Sequence, residues 1–150
     1  MAEYVGIGGT QTVGNRQAVA TITSIPCRKG YIVHNNGTGV YTLRGITDGC
    51  FARYEILAKA NISVPETGTV GPIAVGISVN GEVWRGSRFI VTPAAVGDNW
   101  GAVSPATIDV PRGCCVNVAF EPVPATDDPA TAPAPAIDLQ DIIVQIKRVA

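Results

Sequence analysis

The sequence predicts an all-β fold: an antiparallel two-sheet sandwich of the jelly-roll type with about eight to ten strands. Three observations carry that expectation. Cys50–Val64 (CFARYEILAKANISV) places apolar or small residues at every even position and mostly polar ones between them. This is the alternation of a strand with one buried face, whereas a helix would scatter the same residues around its circumference. Asn80-Gly81 stands between two short apolar runs, and a type I′ hairpin turn requires positive φ at both of its central positions. Finally, 17 glycines and 11 prolines punctuate short apolar stretches, and no convincing helix is present.

A chain of 150 residues fits one domain with a substantial core. Hydrophobic residues make up 46% and charged residues 15%, a balance that suits a globular protein covering its own faces in an assembly. A net charge of −1 without any Lys/Arg block argues against a nucleic-acid partner. No apolar run approaches the ~20 residues that cross a bilayer. The N-terminal stretch lacks the basic head and apolar centre of a secretory signal. Of the four cysteines, Cys50 and Cys114 are expected on core faces as small hydrophobes, with Cys115 on the other side. Reduced thiols are the default, and a Cys114–Cys115 disulfide would be strained.

In chain order, residues 1–16 are rich in Gly, Thr, Gln and Asn and read as a flexible arm, either a disordered tail or a segment that orders on a partner. Residues 17–150 form the single predicted domain. Gln17–Pro26 is a first strand, ended by Pro26. Tyr31–His34 and Val40–Leu43 are short strands around the Asn35–Gly39 loop, and Asp48-Gly49 turns into the long strand.

Pro72–Val79 alternates again, and the Asn80-Gly81 turn sets Val79 opposite Glu82 and Ile77 opposite Trp84. Trp84 thereby lands on the apolar face, for core packing or as an exposed platform. Gly86-Ser87 should kink the returning strand, because Phe89 and Val91 are out of phase with Trp84. Pro93–Asn99 is a loop. Trp100–Val110 is a looser strand whose clearest core positions are Ile108 and Val110. Val110-Pro111-Arg112-Gly113 suits a type I turn, and the alternating stretch Cys114–Glu121 completes a second hairpin. Residues 122–136 hold five prolines and read as an exposed surface loop or a linker. Asp138–Val149 is a final strand, with Ile142, Val144 and Ile146 on one face and Ile143, Gln145 and Lys147 on the other.

Catalytic chemistry finds little support. His34 is the only histidine and is expected at the surface beside a Gly/Asn loop. No nucleophile elbow or zinc-protease motif occurs. Asp127-Asp128, the only acidic pair, lies in the Pro-rich loop, where nothing would hold two carboxylates at a fixed distance. The expectation is a non-enzymatic protein without cofactor or metal, built for binding or structure. Phe51 and Leu57 break the polar rule on the outward face of the long strand. They are either ordinary exposed apolar residues or a subunit interface. Asp98, Asn99, Trp100 and Tyr41 form the candidate ligand loop, with Trp100 a potential stacking platform for a sugar.

The segments GCFARYEILAKANI, IDVPRGCCVNVAFE and DIIVQIKRV resemble strands of the trimeric jelly rolls of the tumour-necrosis-factor and complement-globular-head type. More closely, VYTLRGITDGCFARYEILAKANI, VGPIAVGISVNGE, FIVTPAAV and IDVPRGCCVNV resemble a group of small virion-associated proteins of phages and prophages of gut Firmicutes. That resemblance covers residues 38–121 and 137–150. It implies a head fibre or capsid decoration on the virion surface, made in the host cytoplasm and assembled as a homotrimer. Phe51 and Leu57 would then lie at the threefold interface, meeting Ile143 and Gln145. Residues 1–16 would be a candidate capsid anchor. The alternative function is a module binding carbohydrate or a host receptor, with surface glycans as partner.

Overall fold

The computed structural model describes residues 1–113, 115–126 and 135–149. The protein is an all-β sandwich of two antiparallel sheets. Among the described residues the strands are β1 (Ala2–Gly6), β2 (Thr10–Val13), β3 (Thr21–Ile25), β4 (Ile32–Val33), β5 (Val40–Arg44) and β6 (Phe51–Ser63). They continue with β7 (Ile73–Val79), β8 (Glu82–Val83), β9 (Phe89–Val91), β10 (Trp100–Pro111), β11 (Cys115–Pro122) and β12 (Ile137–Arg148). The first sheet runs β10-β6-β12-β1-β3, with β2 also on β12; the second runs β4-β5-β11-β7-β8, with β9 also on β7. The chain crosses between sheets at β3–β4, β5–β6, β6–β7, β9–β10, β10–β11 and β11–β12.

Strand β6 lies inside the first sheet, between β10 and β12, with one face buried as its alternation requires. Ala52, Tyr54, Ile56, Ala58, Ala60 and Ile62 are buried, and the residues between them up to Lys59 are exposed. Facing them from the second sheet are Leu43, Val75, Ile77, Val116, Val118 and Phe120, within one continuous core. Burial of side chains of this size contributes about 1.5–3 kcal/mol each. On β12 the core parity changes from Ile137 and Leu139 to Ile142, Val144 and Ile146. A bulge between Gln140 and Ile143, with Asp141 at φ 53°, absorbs the change. Pro105 is accommodated mid-strand because β10 lies at the edge of the first sheet.

Several expectations are corrected. Residues 1–16 are not a free arm. β1 pairs with both β12 and β3, β2 pairs with β12, and Ala2, Tyr4 and Val13 are buried. Their partners lie far along the chain, so so short an alternation carries little local signal. The turn at Pro111–Gly113 does not close a hairpin, because β10 pairs with β6 while β11 pairs with β5 and β7. The turn's amides go elsewhere: Arg112 donates to Cys50 O at 3.0 Å and Gly113 to Gly45 O at 3.0 Å. Two alternating strands facing each other across a core give the same pattern as two paired side by side.

The Asn80-Gly81 turn does close a hairpin, with Val79 opposite Glu82, but it is only two pairs long. The chain then enters a 3₁₀ turn at Arg85–Ser87, where the kink was expected. The buried Ser87 hydroxyl accepts the Ile77 amide at 2.8 Å, and Trp84 turns outward, 44% exposed. Trp84 is therefore not a core residue. Cys50 is exposed too, since it precedes β6 and lies past the end of the core layer. Cys114 and Asp127-Asp128 lie outside the described residues.

Candidate functional surface

The outer face of the first sheet carries the residues singled out for association. In one cross-strand row Pro105, Leu57, Gln145, Glu3 and Ile25 follow one another from β10 to β3. The neighbouring row is Val103, Lys59, Ile143, Val5 and Ile22. Leu57 is 44% exposed, and Val103 and Ile22 are equally open. Lys59 interrupts the second row with a charge whose stem can lie along its apolar neighbours. Gln145 Nε2 donates to Glu3 Oε2 at 3.0 Å, which fixes the amide beside Leu57.

The adjacent rows are polar. Glu55 faces Thr107 and Lys147. Arg53 makes a two-point ion pair with Asp109, at 2.8 and 3.1 Å, and the paired guanidinium holds the Asp109 carboxyl below the usual carboxylate range. Phe51 lies beyond that pair, opposite Pro111, with the Arg53 guanidinium 5.4 Å from its ring centre. Six strand positions separate Phe51 from Leu57, roughly 20 Å at strand rise. The fold thus brings Leu57, Ile143 and Gln145 together and leaves Phe51 apart from them.

Sequence reasoning missed three contributors. Val103 and Pro105 share the outward parity of Leu57. Trp84 reaches the same area around the β10 edge, where it joins Leu57, Pro105, Thr107, Gln145 and Lys147 along a groove of about 500 Å³. The alternation of Ala102, Ser104, Ala106, Ile108 and Val110 would have marked Val103 and Pro105 as outward-facing, had Ser104 not blurred it.

The candidate ligand loop is divided. Asp98, Asn99 and Trp100 are exposed at the start of β10, Trp100 at 47%. Gln140 Nε2 donates to Asn99 Oδ1 at 3.1 Å, and Asn61 Nδ2 to Asp141 Oδ2 at 2.9 Å, so amides and a carboxylate crowd this end of the sheet. Tyr41 does not belong there. It is 1% exposed, and its alternation on β5 points it into the core. Its hydroxyl hydrogen-bonds Thr21, and its ring stacks on His34 at 4.7 Å and 16°. His34 is accordingly half-buried rather than a surface residue, with Nε2 3.1 Å from Thr21 Oγ1 and 2.9 Å from Thr38 O. Tyr4 completes the cluster, and burial pushes its phenol up to about 12.

Among the described residues no group of three or more His, Cys, Asp and Glu side chains is placed to hold a metal ion. No protein-family model and no curated protein matches the chain.

Proposed function

We propose that this protein is a non-enzymatic structural component of a phage virion, a homotrimeric head fibre or capsid decoration with a tumour-necrosis-factor-like jelly roll. Its subunits meet through the outer face of the first sheet, around Leu57, Ile143 and Gln145. The observation that carries the self-association is the grouping of Leu57, Val103 and Pro105 with the half-buried Ile143 and Val5 on one outer face, where Gln145, Glu3 and Lys59 are the polar members of the two rows. Grouped apolar side chains on one outer face mark an interaction surface, whereas singly scattered ones do not. The virion role rests on the resemblance of residues 38–121 and 137–150 to virion-associated phage proteins. Because Ala2–Gly6 and Thr10–Val13 pair in the sheet, attachment to a capsid through residues 1–16 would use their exposed positions and not a free arm.

Light scattering tests the assembly. A mass near three times 15.5 kDa supports the trimer, and co-sedimentation with capsids then tests the virion role. A monomer at micromolar concentration would overturn the interface.

A second reading, a saccharide-binding module at Asp98, Asn99 and Trp100, is favoured by the exposure of Trp100 beside hydrogen-bonding amides. Sugars stack on aromatic faces while amides and carboxylates meet their hydroxyls. Quenching of tryptophan fluorescence by host glycans, abolished in Trp100→Ala, would support it; the absence of quenching would remove it.

A further inference from the structure

On the outer face of the second sheet, a cavity of about 510 Å³ opens over Ala119 on β11, between Val40 on β5 and Ser78 on β7. Its volume falls in the range of small-molecule sites, roughly 300–1,000 Å³. Ala119 and Ala18 give it a small apolar floor, and the exposed Val40 forms one wall. The charged side chains of the lining are Arg16 and Glu121, and they are paired with each other, Arg16 Nε donating to Glu121 Oε1 at 2.5 Å. Neither is left over to hold a charged ligand.

Polar groups stand at both ends of this floor. At one end Thr42 Oγ1 donates to Asn117 Oδ1 at 2.8 Å, and the Asn117 backbone amide donates to Asn80 Oδ1 at 2.9 Å. Both side-chain oxygens are thus engaged, and the two Nδ2 groups have no partner among the described residues. Asn80 is held by the hairpin turn, at φ 50°, and by its own backbone amide, which donates to Asn117 O at 2.7 Å. At the other end Glu121 is buried and accepts from Arg16 and Ser78. A carboxylate has about four lone-pair sites, so acceptor capacity remains. Arg16 also donates to Gly81 O and has a left-handed backbone, φ 58°. A residue other than glycine keeps that conformation only where its surroundings enforce it. Donors and acceptor are therefore fixed before any ligand arrives.

We propose that this cavity binds one pyranose ring of a neutral saccharide. Asn117 and Glu121 share a face of β11 with Ala119 midway between them. Four strand positions span roughly 13 Å. Less the reach of two side chains, that span suits a ring hydrogen-bonded at both ends. Ring hydroxyls accept from the asparagine side chains at one end and donate to Glu121 at the other, and the C–H face of the ring covers Ala119 and Val40. Hydroxyls both donate and accept, as this mixture of groups requires. A ligand ammonium or carboxylate would instead meet an ion pair that is already closed. The site lies on the opposite side of the sandwich from Leu57 and uses none of Asp98, Asn99 and Trp100, so it stands independently of both readings above.

NMR titration of the isotope-labelled protein tests this, with methyl glucoside, methyl galactoside and N-acetylglucosamine as neutral pyranoses and glucuronate and glucosamine as charged controls. At least one neutral pyranose should bind saturably at millimolar concentration and move the side-chain amide signals of Asn80 and Asn117. Both charged controls should bind at least fivefold more weakly than that sugar. Ala119→Leu, which fills the floor from an outward-facing position, should abolish binding. Asn117→Ala should weaken it at least fivefold, and Trp100→Ala should leave it unchanged. No saturable binding of any of the three neutral sugars, or equal affinity for a charged control, overturns the proposal on the unmodified protein alone. Unchanged affinity in a folded Ala119→Leu variant, or loss of binding in Trp100→Ala, overturns the placement of the sugar.

Discussion

Leu57 on β6 and Gln145 on β12 are cross-strand partners on the outer face of the first sheet, with the Gln145 amide tied to Glu3. An exposed leucine held against a fixed amide is a preorganised contact point, because its surroundings lose little further freedom on association. Leu57→Arg should therefore dissociate the proposed trimer while leaving the subunit folded, with the thermal midpoint measured at low concentration nearly unchanged. Phe51→Arg should have a smaller effect, since Phe51 stands beyond the Arg53–Asp109 pair, away from Leu57. Light scattering over a dilution series reads both. Equal loss of mass in the two variants would mean that the contact extends along the whole of β6.

Stability at alkaline pH should depend on Tyr4 and Tyr41. Burial raises both phenols, Tyr4 from 10.0 to about 12. A raised folded value favours the neutral form in the native state. The stabilisation is complete below about pH 10 and is lost as pH climbs through the folded value, at up to ~1.4 kcal/mol per pH unit for each group. Tyr4→Phe keeps the ring against Tyr41 and His34 and removes one titration. Its unfolding free energy should therefore decline less steeply between pH 10 and 12 than that of the parent. Parallel slopes in urea unfolding series across that window would refute the assignment.

Glu121 should behave unlike a typical surface carboxylate. It is buried, and desolvation raises its pKa although Arg16 and Ser78 hydrogen-bond it and pull the other way. With a raised folded value, ionisation is harder in the native state than in the unfolded chain. This group's contribution thus grows as pH falls from neutral and is lost as pH rises through the raised value. Glu121→Gln retains an acceptor for Arg16 and removes the charge, so stability at pH 7 should be unchanged or higher. Glu121→Ala leaves the buried Ser78 hydroxyl and the partly exposed Arg16 without this acceptor and should cost about 1–3 kcal/mol. Chemical denaturation at pH 5 and 7 separates these outcomes, and a large loss in the glutamine variant would show that the charge itself stabilises the fold.

What the sequence made legible was local. The β6 alternation, the Asn80-Gly81 turn and the two faces of β12 beyond its bulge are set by neighbours a few residues apart, and each appears in the fold. Tyr4 pairs with Val144 across almost the whole chain, so β1 becomes a strand only once β12 and β3 exist to flank it. The β10–β11 turn was misread for a similar reason, since apolar alternation records which face is buried but not which sheet buries it. At the candidate surface Leu57 could be found by parity alone. Trp84 could not, because it reaches Leu57 only by rounding the edge of β10 from the second sheet.

Gly39 should tolerate no side chain. A Cβ there would stand 2.4 Å from Val19 O and 2.7 Å from the Ala18 side chain. The neighbouring backbone cannot easily yield. The Val19 amide donates to Phe120 O at 2.9 Å, and the Thr21 amide to Thr38 O at 3.0 Å, which ties the approach to β3 to both the second sheet and the loop before β5. Gly39→Ala must strain these links, and a loss of about 1–3 kcal/mol is expected, in the range of overpacked sites. Gly101→Ala is the matched control. It lies on β10 with no atom within 4 Å of the added carbon and without a positive φ. There, alanine restricts the unfolded chain without native strain and should leave stability unchanged or raised by ~0.5 kcal/mol. Urea unfolding of the two variants decides the matter, and equal stabilities would show that the segment around Val19 shifts freely to admit the methyl group.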